Sequence, residues 1–231
     1  MVKFYENWYK DLLYNSNEKE LLAQKILELH KTQRHASFLE VGMGTSPFFA
    51  NKLGGFFDEY WIVEKKKSNI FFPDNVRFVH SDFEDFSCKR KFDGILLSHV
   101  IYYFSNLNKS IKRSIDLLHE NGCAYFVVNG NDSDYGKIKK FFSEITKRPL
   151  IFTYDLLKNA IIKNYHVVEI PLPTKVFFDT YEDLFERLRL FFDLFPEEFE
   201  ENKSSIISWL KKNVAVGEFC MNQKIFIVKR L

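Results

Sequence analysis

Cysteine is scarce in this chain: Cys88, Cys123 and Cys220 are the only three in 231 residues, and they stand far apart. No pair has the spacing of a metal knuckle or a disulfide framework, so ordinary thiols in a reducing compartment are expected. His30, His35, His80, His119 and His166 likewise lack ligand spacing, and no metal is assigned. Neither a Ser-His-acid nor a Cys-His arrangement is recognisable. An excess of one charge is also missing, with 33 Lys and Arg against 31 Asp and Glu. That argues against a nucleic-acid binder, which carries a strongly basic face. Lys65-Lys66-Lys67 and Lys89-Arg90-Lys91 are short enough to be solvated loops. No apolar run reaches the length of a membrane span. The amino-terminal Met1-Val2-Lys3-Phe4-Tyr5-Glu6 lacks the apolar centre and cleavage site of a signal peptide. The expected setting is the cytoplasm, as a monomer or weak dimer, with neither membrane nor nucleic acid as partner. No repeat, low-complexity tract or linker interrupts the chain, so one domain is expected.

What is abundant is the aromatic ring, at 17% of residues with 26 Phe. That exceeds the needs of one small core and hints at an aromatic-lined pocket or lid. Residues 3–35 read as two helices broken at Asn15-Ser16-Asn17. Strands and helices then alternate. Strands are expected at Ser37–Val41, Tyr60–Val63, Val76–His80, Phe92–Ser98 and Ala124–Val128. Pro47–Leu53 reads as a short helix stopped by Gly54-Gly55. Helices are also expected at Ser105–Glu120, with Leu118 on the buried stripe and Asn121-Gly122 as its stop, and at Tyr135–Lys147 and Tyr154–Lys163. Ile138, Phe141, Phe142 and Ile145 are expected to face inward. His166–Ile170 and Lys224–Lys229 close the chain as strands. Between them lies a helical insertion, about 180–212, opened by the capping box Thr180-x-x-Asp183. Five β–α repeats followed by two strands predict an α/β fold with a doubly wound, Rossmann-like seven-stranded sheet. The divisions are a helical lid at 1–35, a core at 36–179, a cap at 180–212 and a final strand at 219–231.

Ligands of such sheets bind beyond the carboxyl ends of the strands. Those ends carry Gly42, Glu64, Asp82, Ser98 and Asn129. In Leu39-Glu40-Val41-Gly42-Met43-Gly44-Thr45-Ser46 an apolar run carries an acid and breaks into two glycines. Such a turn lets a ligand approach backbone N–H groups. Twenty residues after Gly44, the run Tyr60-Trp61-Ile62-Val63 ends in Glu64, whose carboxylate can accept both hydroxyls of a ribose. A nucleoside is therefore expected. A dinucleotide fold wants a third glycine where this chain has Pro47. S-adenosylmethionine needs no anion at the helix start. It would use Gly42, Gly44 and Thr45 in the turn, Glu64 at the ribose, Asp82 with Phe83 at the adenine, and Ser98 at the rim. Glu40 would hold the turn or meet the methionine ammonium through water.

Leu39-Glu40-Val41-Gly42-Met43-Gly44, Ile62-Val63-Glu64, His80-Ser81-Asp82-Phe83 and Phe92-Asp93-Gly94-Ile95 resemble the successive motifs of class I S-adenosylmethionine-dependent methyltransferases. The match spans about residues 36–130, with Ser46 at the usual third small position of the loop. The resemblance implies S-adenosylmethionine as methyl donor and S-adenosylhomocysteine as product. Ser98-His99-Val100-Ile101-Tyr102-Tyr103-Phe104, Thr153-Tyr154-Asp155-Leu156-Leu157 and Asn222-Gln223-Lys224-Ile225-Phe226-Ile227-Val228 are similar to the histamine N-methyltransferase group. That likeness implies Glu18, His99 and Asn222 as substrate-holding residues and Tyr103 as a pocket tyrosine. The group's Gln is His99 here, which departs from histamine itself.

The implied reaction is methyl transfer to a small molecule, at an amine nitrogen. Glu18 would hold the amine, or else be a helix-start acid beside a positive dipole. His99 would take its proton, or only bond locally. Tyr102 and Tyr103 would face the sulfonium and a methylated ammonium through cation–π contact, or pack in the turn. Phe4, Tyr5, Trp8 and Tyr9, and Phe177, Phe178, Phe185, Phe191 and Phe192, read as lid or as packing. An O-methyltransferase, a protein or RNA methyltransferase, and a binding module without turnover are the alternatives.

Overall fold

The computed structural model describes residues 2–30, 36–44, 46–149 and 152–230. Contacts divide the chain into two compact units. One comprises residues 22–128, 153–171 and 224–231; the other comprises residues 1–21, 129–152 and 172–223.

The first unit is built on strands β1 (Ser37–Val41), β2 (Glu59–Glu64), β3 (Val76–His80), β4 (Phe92–Ser98), β5 (Leu118–Asn129), β6 (His166–Leu172) and β9 (Gln223–Lys229). They form a seven-stranded sheet of order β3-β2-β1-β4-β5-β9-β6. Every residue of β1 is buried, as a strand covered on both faces requires. Parallel register sets Val41 against Val63 and Leu97, and Glu64 against His80. The ladders continue one residue beyond the strands: the Gly42 N–H donates to the Val63 carbonyl at 2.9 Å, and that of Ser81 to Glu64 at 3.0 Å. The strand ends that carry Gly42, Glu64, Asp82 and Ser98 therefore share one rim.

Helices α3 (Phe48–Leu53), α4 (Leu107–Asp116) and α6 (Thr153–Ile161) belong to this unit, with most of α2 (Glu18–His30). The expected five β–α repeats are too many. Residues 65–75 and 81–91 join β2 to β3 and β3 to β4 without a helix. Gly54-Gly55 does not stop the chain either; it continues as a 3-10 turn over Gly54–Phe56. The largest departure lies at 117–122. Helix α4 ends at Asp116, and Leu118 pairs with Phe92 as part of β5. The register then shifts, so that Gly94 pairs with Cys123. Asn121-Gly122 is a bulge and not a helix stop. A Cβ on Gly122 would lie 2.8 Å from the Phe92 carbonyl oxygen, so only glycine permits this backbone approach.

The second unit holds α1 (Val2–Tyr14), the first turn of α2, α5 (Asp134–Thr146), α7 (Tyr181–Leu188), α8 (Pro196–Glu201) and α9 (Lys203–Asn213). It also holds a small antiparallel pair, β7 (Lys175–Phe177) and β8 (Glu218–Cys220), which sequence periodicity did not reveal. Asn15-Ser16-Asn17 pairs with β7: the Phe177 N–H donates to the Asn15 carbonyl at 2.7 Å, and that of Lys175 to Asn17 Oδ1 at 2.8 Å. The Thr180–Asp183 capping box forms as expected. The phenylalanine surplus resolves into a second core. Phe185, Phe192 and Phe199 stack at 4.5–4.6 Å, and Phe142 adds a ring 4.6 Å from Phe192. Phe178 is buried with them, Phe191 packs on Tyr135, and Phe177 is exposed. Trp8 and Tyr9 pack partly on this core, whereas the side chains of Phe4 and Tyr5 lie outside those described. Along α5 the buried residues are Tyr135, Gly136, Ile138, Lys139 and Phe142. Ile145 is exposed, and a lysine occupies the face expected to be wholly apolar.

Gly122→Ala is expected to destabilise the first unit by about 1–3 kcal/mol, as an overpacked site does. A drop in its denaturation midpoint checks this.

Candidate functional site

The rim of the first unit is organised by Glu64. Parallel pairing with β1 brings its buried carboxylate beside the glycine turn. Oε2 accepts the Gly44 N–H at 2.9 Å, and Oε1 accepts the Lys66 N–H at 2.8 Å. Each oxygen keeps a lone pair, enough for two ribose hydroxyls. Gly42 and Gly44 have φ of +77° and +70°, in the left-handed region that favours glycine. A Cβ on Gly42 would come within 2.4 Å of Val100 Cγ1, so the turn sits tightly against the loop after β4. These features fit an adenosyl ligand. Thr45 lies outside the described residues.

Glu40 is buried, and its Oε2 accepts the Tyr60 hydroxyl at 2.8 Å. Burial, reinforced by Glu40, holds the Tyr60 phenol well above its usual pKa. Asp82 is half-buried at the next strand end. Oδ2 receives Lys65 Nζ at 2.8 Å, and Oδ1 accepts the Glu84 N–H at 3.0 Å. The bond from Lys65 is the main cause that lowers the Asp82 pKa. Phe83 is placed in the core, with its ring 5.8 Å from Phe104, and offers no open face to an adenine.

Ser98 ends β4 half-buried, and His99 comes next with φ of +54°. A left-handed histidine costs about 1–2 kcal/mol relative to the right-handed form, a strain found where function fixes the backbone. The His99 N–H donates to the Val127 carbonyl at 3.1 Å. Tyr102 and Tyr103 lie on the 3-10 turn Ile101–Tyr103. They are 50% and 65% exposed, with ring centroids 4.8 Å apart. Neither is core packing. Glu84 anchors the segment between this turn and α4: its carboxylate accepts the Ser105 and Asn106 N–H groups and the Ser105 and Ser110 hydroxyls. Those bonds, led by the Ser105 N–H, lower its pKa.

Glu18 and Asn222 belong to the second unit. Glu18 is only 5% exposed, and its Oε2 accepts Gln223 Nε2 at 3.1 Å. Sequence reasoning pointed to Asn222, but the neighbouring Gln223 is the residue whose side chain meets Glu18. Asn222 is half-buried, and its carbonyl accepts the Gly130 N–H at 2.7 Å. Gln223 Nε2 also donates to Asn129 Oδ1 at 2.6 Å. The Asn129 side chain also favours the ionised form of the Tyr135 phenol, against the larger effect of burial. Lys139, one helical turn on, donates to that hydroxyl at 3.3 Å. Burial pushes Tyr135 up to about 12 and pulls Lys139 down to about 8. Gln223, Tyr135 and Lys139 were missed. The available signal was the i, i+4 pairing of Tyr135 and Lys139 on the inward stripe of α5.

A family model described as a methyltransferase domain matches residues 14–166, and the chain belongs to that family. No curated protein matches the sequence significantly. Solved structures share the fold. The BH2331 protein of Bacillus halodurans C-125 is 15% identical, with a TM-score of 0.61, over 90% of this chain and 99% of that one. The N-methyltransferase NodS of Bradyrhizobium japonicum WM9, in complex with S-adenosylhomocysteine, is 11% identical, with a TM-score of 0.50, over 90% and 85%. The plantazolicin methyltransferase BpumL, also with S-adenosylhomocysteine, is 13% identical, with a TM-score of 0.56, over 100% and 89%. The protein is a class I methyltransferase that uses S-adenosylmethionine. Among the described residues no helix is long and apolar enough to cross a membrane, and no cluster of His, Cys, Asp and Glu could hold a metal.

Glu64→Ala removes an ionised hydrogen-bond acceptor and is expected to weaken S-adenosylhomocysteine binding 10- to 150-fold by calorimetry. Equal affinity in both proteins contradicts the assignment. Lys139 also predicts a pH effect. Its folded pKa, near 8, lies below its unfolded value, so the unfolded chain binds the extra proton as pH rises from 8 towards 10.5. Stability should therefore rise by about 2 kcal/mol between pH 8 and 10. Above pH 10 the raised Tyr135 pKa opposes the trend, because the folded phenol keeps a proton that the unfolded one loses. Wild type and Lys139→Met compared across pH 7–11 isolate the lysine.

Proposed function

We propose that this methyltransferase acts on a small-molecule acceptor, at an amine nitrogen. The observation that carries the reading is the pairing of Glu18 with Gln223. Glu18 presents a buried carboxylate, and Gln223 Oε1 is buried without a hydrogen-bond partner among the described residues. An oxygen short of donors, here Gln223 Oε1, selects an N–H group. The likeness of residues 98–104 and 222–228 to the histamine N-methyltransferase group supports an amine. The near balance of charge weighs against an RNA acceptor.

S-adenosylmethionine supplies an electrophilic methyl carbon: the amine lone pair forms the carbon–nitrogen bond, the carbon–sulfur bond breaks, its electron pair stays on sulfur, and the nitrogen sheds a proton. The chain's own residues bind and orient. Gly42, Gly44, Glu64 and Asp82 hold the adenosyl group. Glu18 fixes the amine and strips its water, and alignment of this kind supplies up to roughly 7–11 kcal/mol. His99 receives the proton. Tyr102 and Tyr103 offer ring faces to the cationic partners, each contact contributing ~0.5–2 kcal/mol.

Glu18→Gln keeps the shape and removes the charge. It is expected to leave S-adenosylhomocysteine affinity within about twofold and to raise the KM for the amine 10-fold or more, as loss of a charged hydrogen bond does. An acceptor screen by S-adenosylhomocysteine release identifies the amine. Release with phenols or carboxylic acids alone contradicts the reading.

A further inference from the structure

We propose that the acceptor is a zwitterion: an amine that also carries a carboxylate, with Lys139 receiving the carboxylate while Glu18 and Gln223 receive the amine. This deepens the amine reading above and rests on it.

The second unit holds two buried polar groups of opposite kind that are under-satisfied. One is an acceptor, Gln223 Oε1, in a residue with no exposed surface. The other is a donor. Lys139 is 7% exposed, yet among the described residues its ammonium makes one hydrogen bond, the 3.3 Å contact to the Tyr135 hydroxyl. Its other neighbours are the faces of Tyr135 and Phe152, at 5.3 and 5.2 Å. Among the described residues no carboxylate lies within ion-pair distance. Asp193 acts on Lys139 only from farther away. An ammonium has three donors, and a buried one without a counter-ion is unfavourable. The same burial holds the Lys139 ammonium below the usual lysine pKa. Ser133, the residue before α5, has a buried hydroxyl without a partner among the described residues.

The two ends lie in one unit: Gln223 bonds Asn129 at 2.6 Å, Tyr135 bonds Lys139 at 3.3 Å, and the Asn129 side chain opposes the rise in the Tyr135 pKa. One end gathers oxygens, from Glu18 and Gln223; the other holds the Lys139 ammonium. A plain amine satisfies only the first end and leaves the buried cation unanswered. A plain acid satisfies only the second. A molecule with both groups satisfies each, and rejection of its truncated analogues results from the unpaired group left behind. The two ends are separated by the Asn129 and Tyr135 side chains, which favours an amino acid whose amine and carboxylate are several bonds apart. Lys139 takes no part in the methyl transfer; it fixes the acceptor.

Straight-chain ω-amino acids of increasing length, each paired with the alkylamine that lacks its carboxylate, test the proposal on the full chain. Calorimetry in the presence of S-adenosylhomocysteine reads binding, and S-adenosylhomocysteine release reads turnover. The expected result is at least 10-fold tighter binding of one amino acid than of its matching amine. Lys139→Met should bring that ratio close to one, and Lys139→Arg should restore part of it. A cooperative denaturation transition like that of wild type reports that each variant is folded, and unchanged S-adenosylhomocysteine affinity reports that the cofactor rim is intact. Equal binding of amino acid and amine by wild type, or a ratio that survives Lys139→Met, overturns the proposal and leaves the amine reading standing. Turnover confined to phenols or to acids without an amine, or no binding by either series, overturns both.

Discussion

The first unit depends on one carboxylate held between two turns. Glu64 joins the loop after β1 to the loop after β2 through backbone N–H groups of Gly44 and Lys66. It can do so only because parallel pairing fixes Val41 against Val63, which leaves Gly42 and Glu64 side by side. The glycine turn is thus held from the β2 side by a charge and from the β4 side by Val100, which fills the space a Cβ on Gly42 would need. A nucleoside that meets this rim meets oriented groups and little reorganisation, the condition for tight and specific binding.

The neighbouring rim residues are fixed by the same kind of device, a side-chain carboxylate bonded to backbone N–H groups. Glu84 gathers four donors at the start of α4. Asp82 is held by Glu84's own N–H and by Lys65. Burial is light at both, so these carboxylates gain from hydrogen bonds with little desolvation penalty, and their pKa values fall. The turn at Ile101–Tyr103 is anchored on both sides in consequence, by left-handed His99 before it and by the Glu84 clamp after it. Two exposed tyrosines, Tyr102 and Tyr103, are carried on that anchored turn.

Much of this was legible in the sequence. Strands β1, β3 and β4 run to the expected residues because each is an apolar run cut by a turn signal or an acid. The rim that carries Gly42, Glu64, Asp82 and Ser98 could be read from the strand ends, since glycines and acids mark where each strand stops. The start of β5 was not legible. Leu118 falls at helical spacing from Ile111 and Ile115, and only the approach of Gly122 to the Phe92 carbonyl shows why the chain leaves the helix first. The β7–β8 pair was invisible for a different reason. Its strands are three residues long, too short for a period to show, and their partner at Asn15–Asn17 is distant in sequence. Phe83 was misjudged as an open stacking face because residue type does not tell which way a loop aromatic turns.

The polar residues of the second unit were the least legible, and for a physical reason that bears on their role. Binary patterning assigns lysine to solvent, because an unpaired ammonium in a core is unfavourable. Lys139 breaks that rule on the same stripe as Ile138 and Phe142. Gln223 breaks it at the start of β9, one residue from where pattern matching placed the functional side chain. Residues that contradict local preference persist where something else compensates them. Glu18 and Asn129 compensate Gln223 in part, and Tyr135 compensates Lys139 in part, each through a side-chain hydrogen bond. What they leave unmet is one acceptor at one end and ammonium protons at the other. A core built only for stability would have replaced such a set with apolar side chains of similar volume, since buried polar groups that are incompletely paired stabilise less than good packing. Two unmet ends of opposite kind are the pattern that the proposed selectivity for a zwitterion would use.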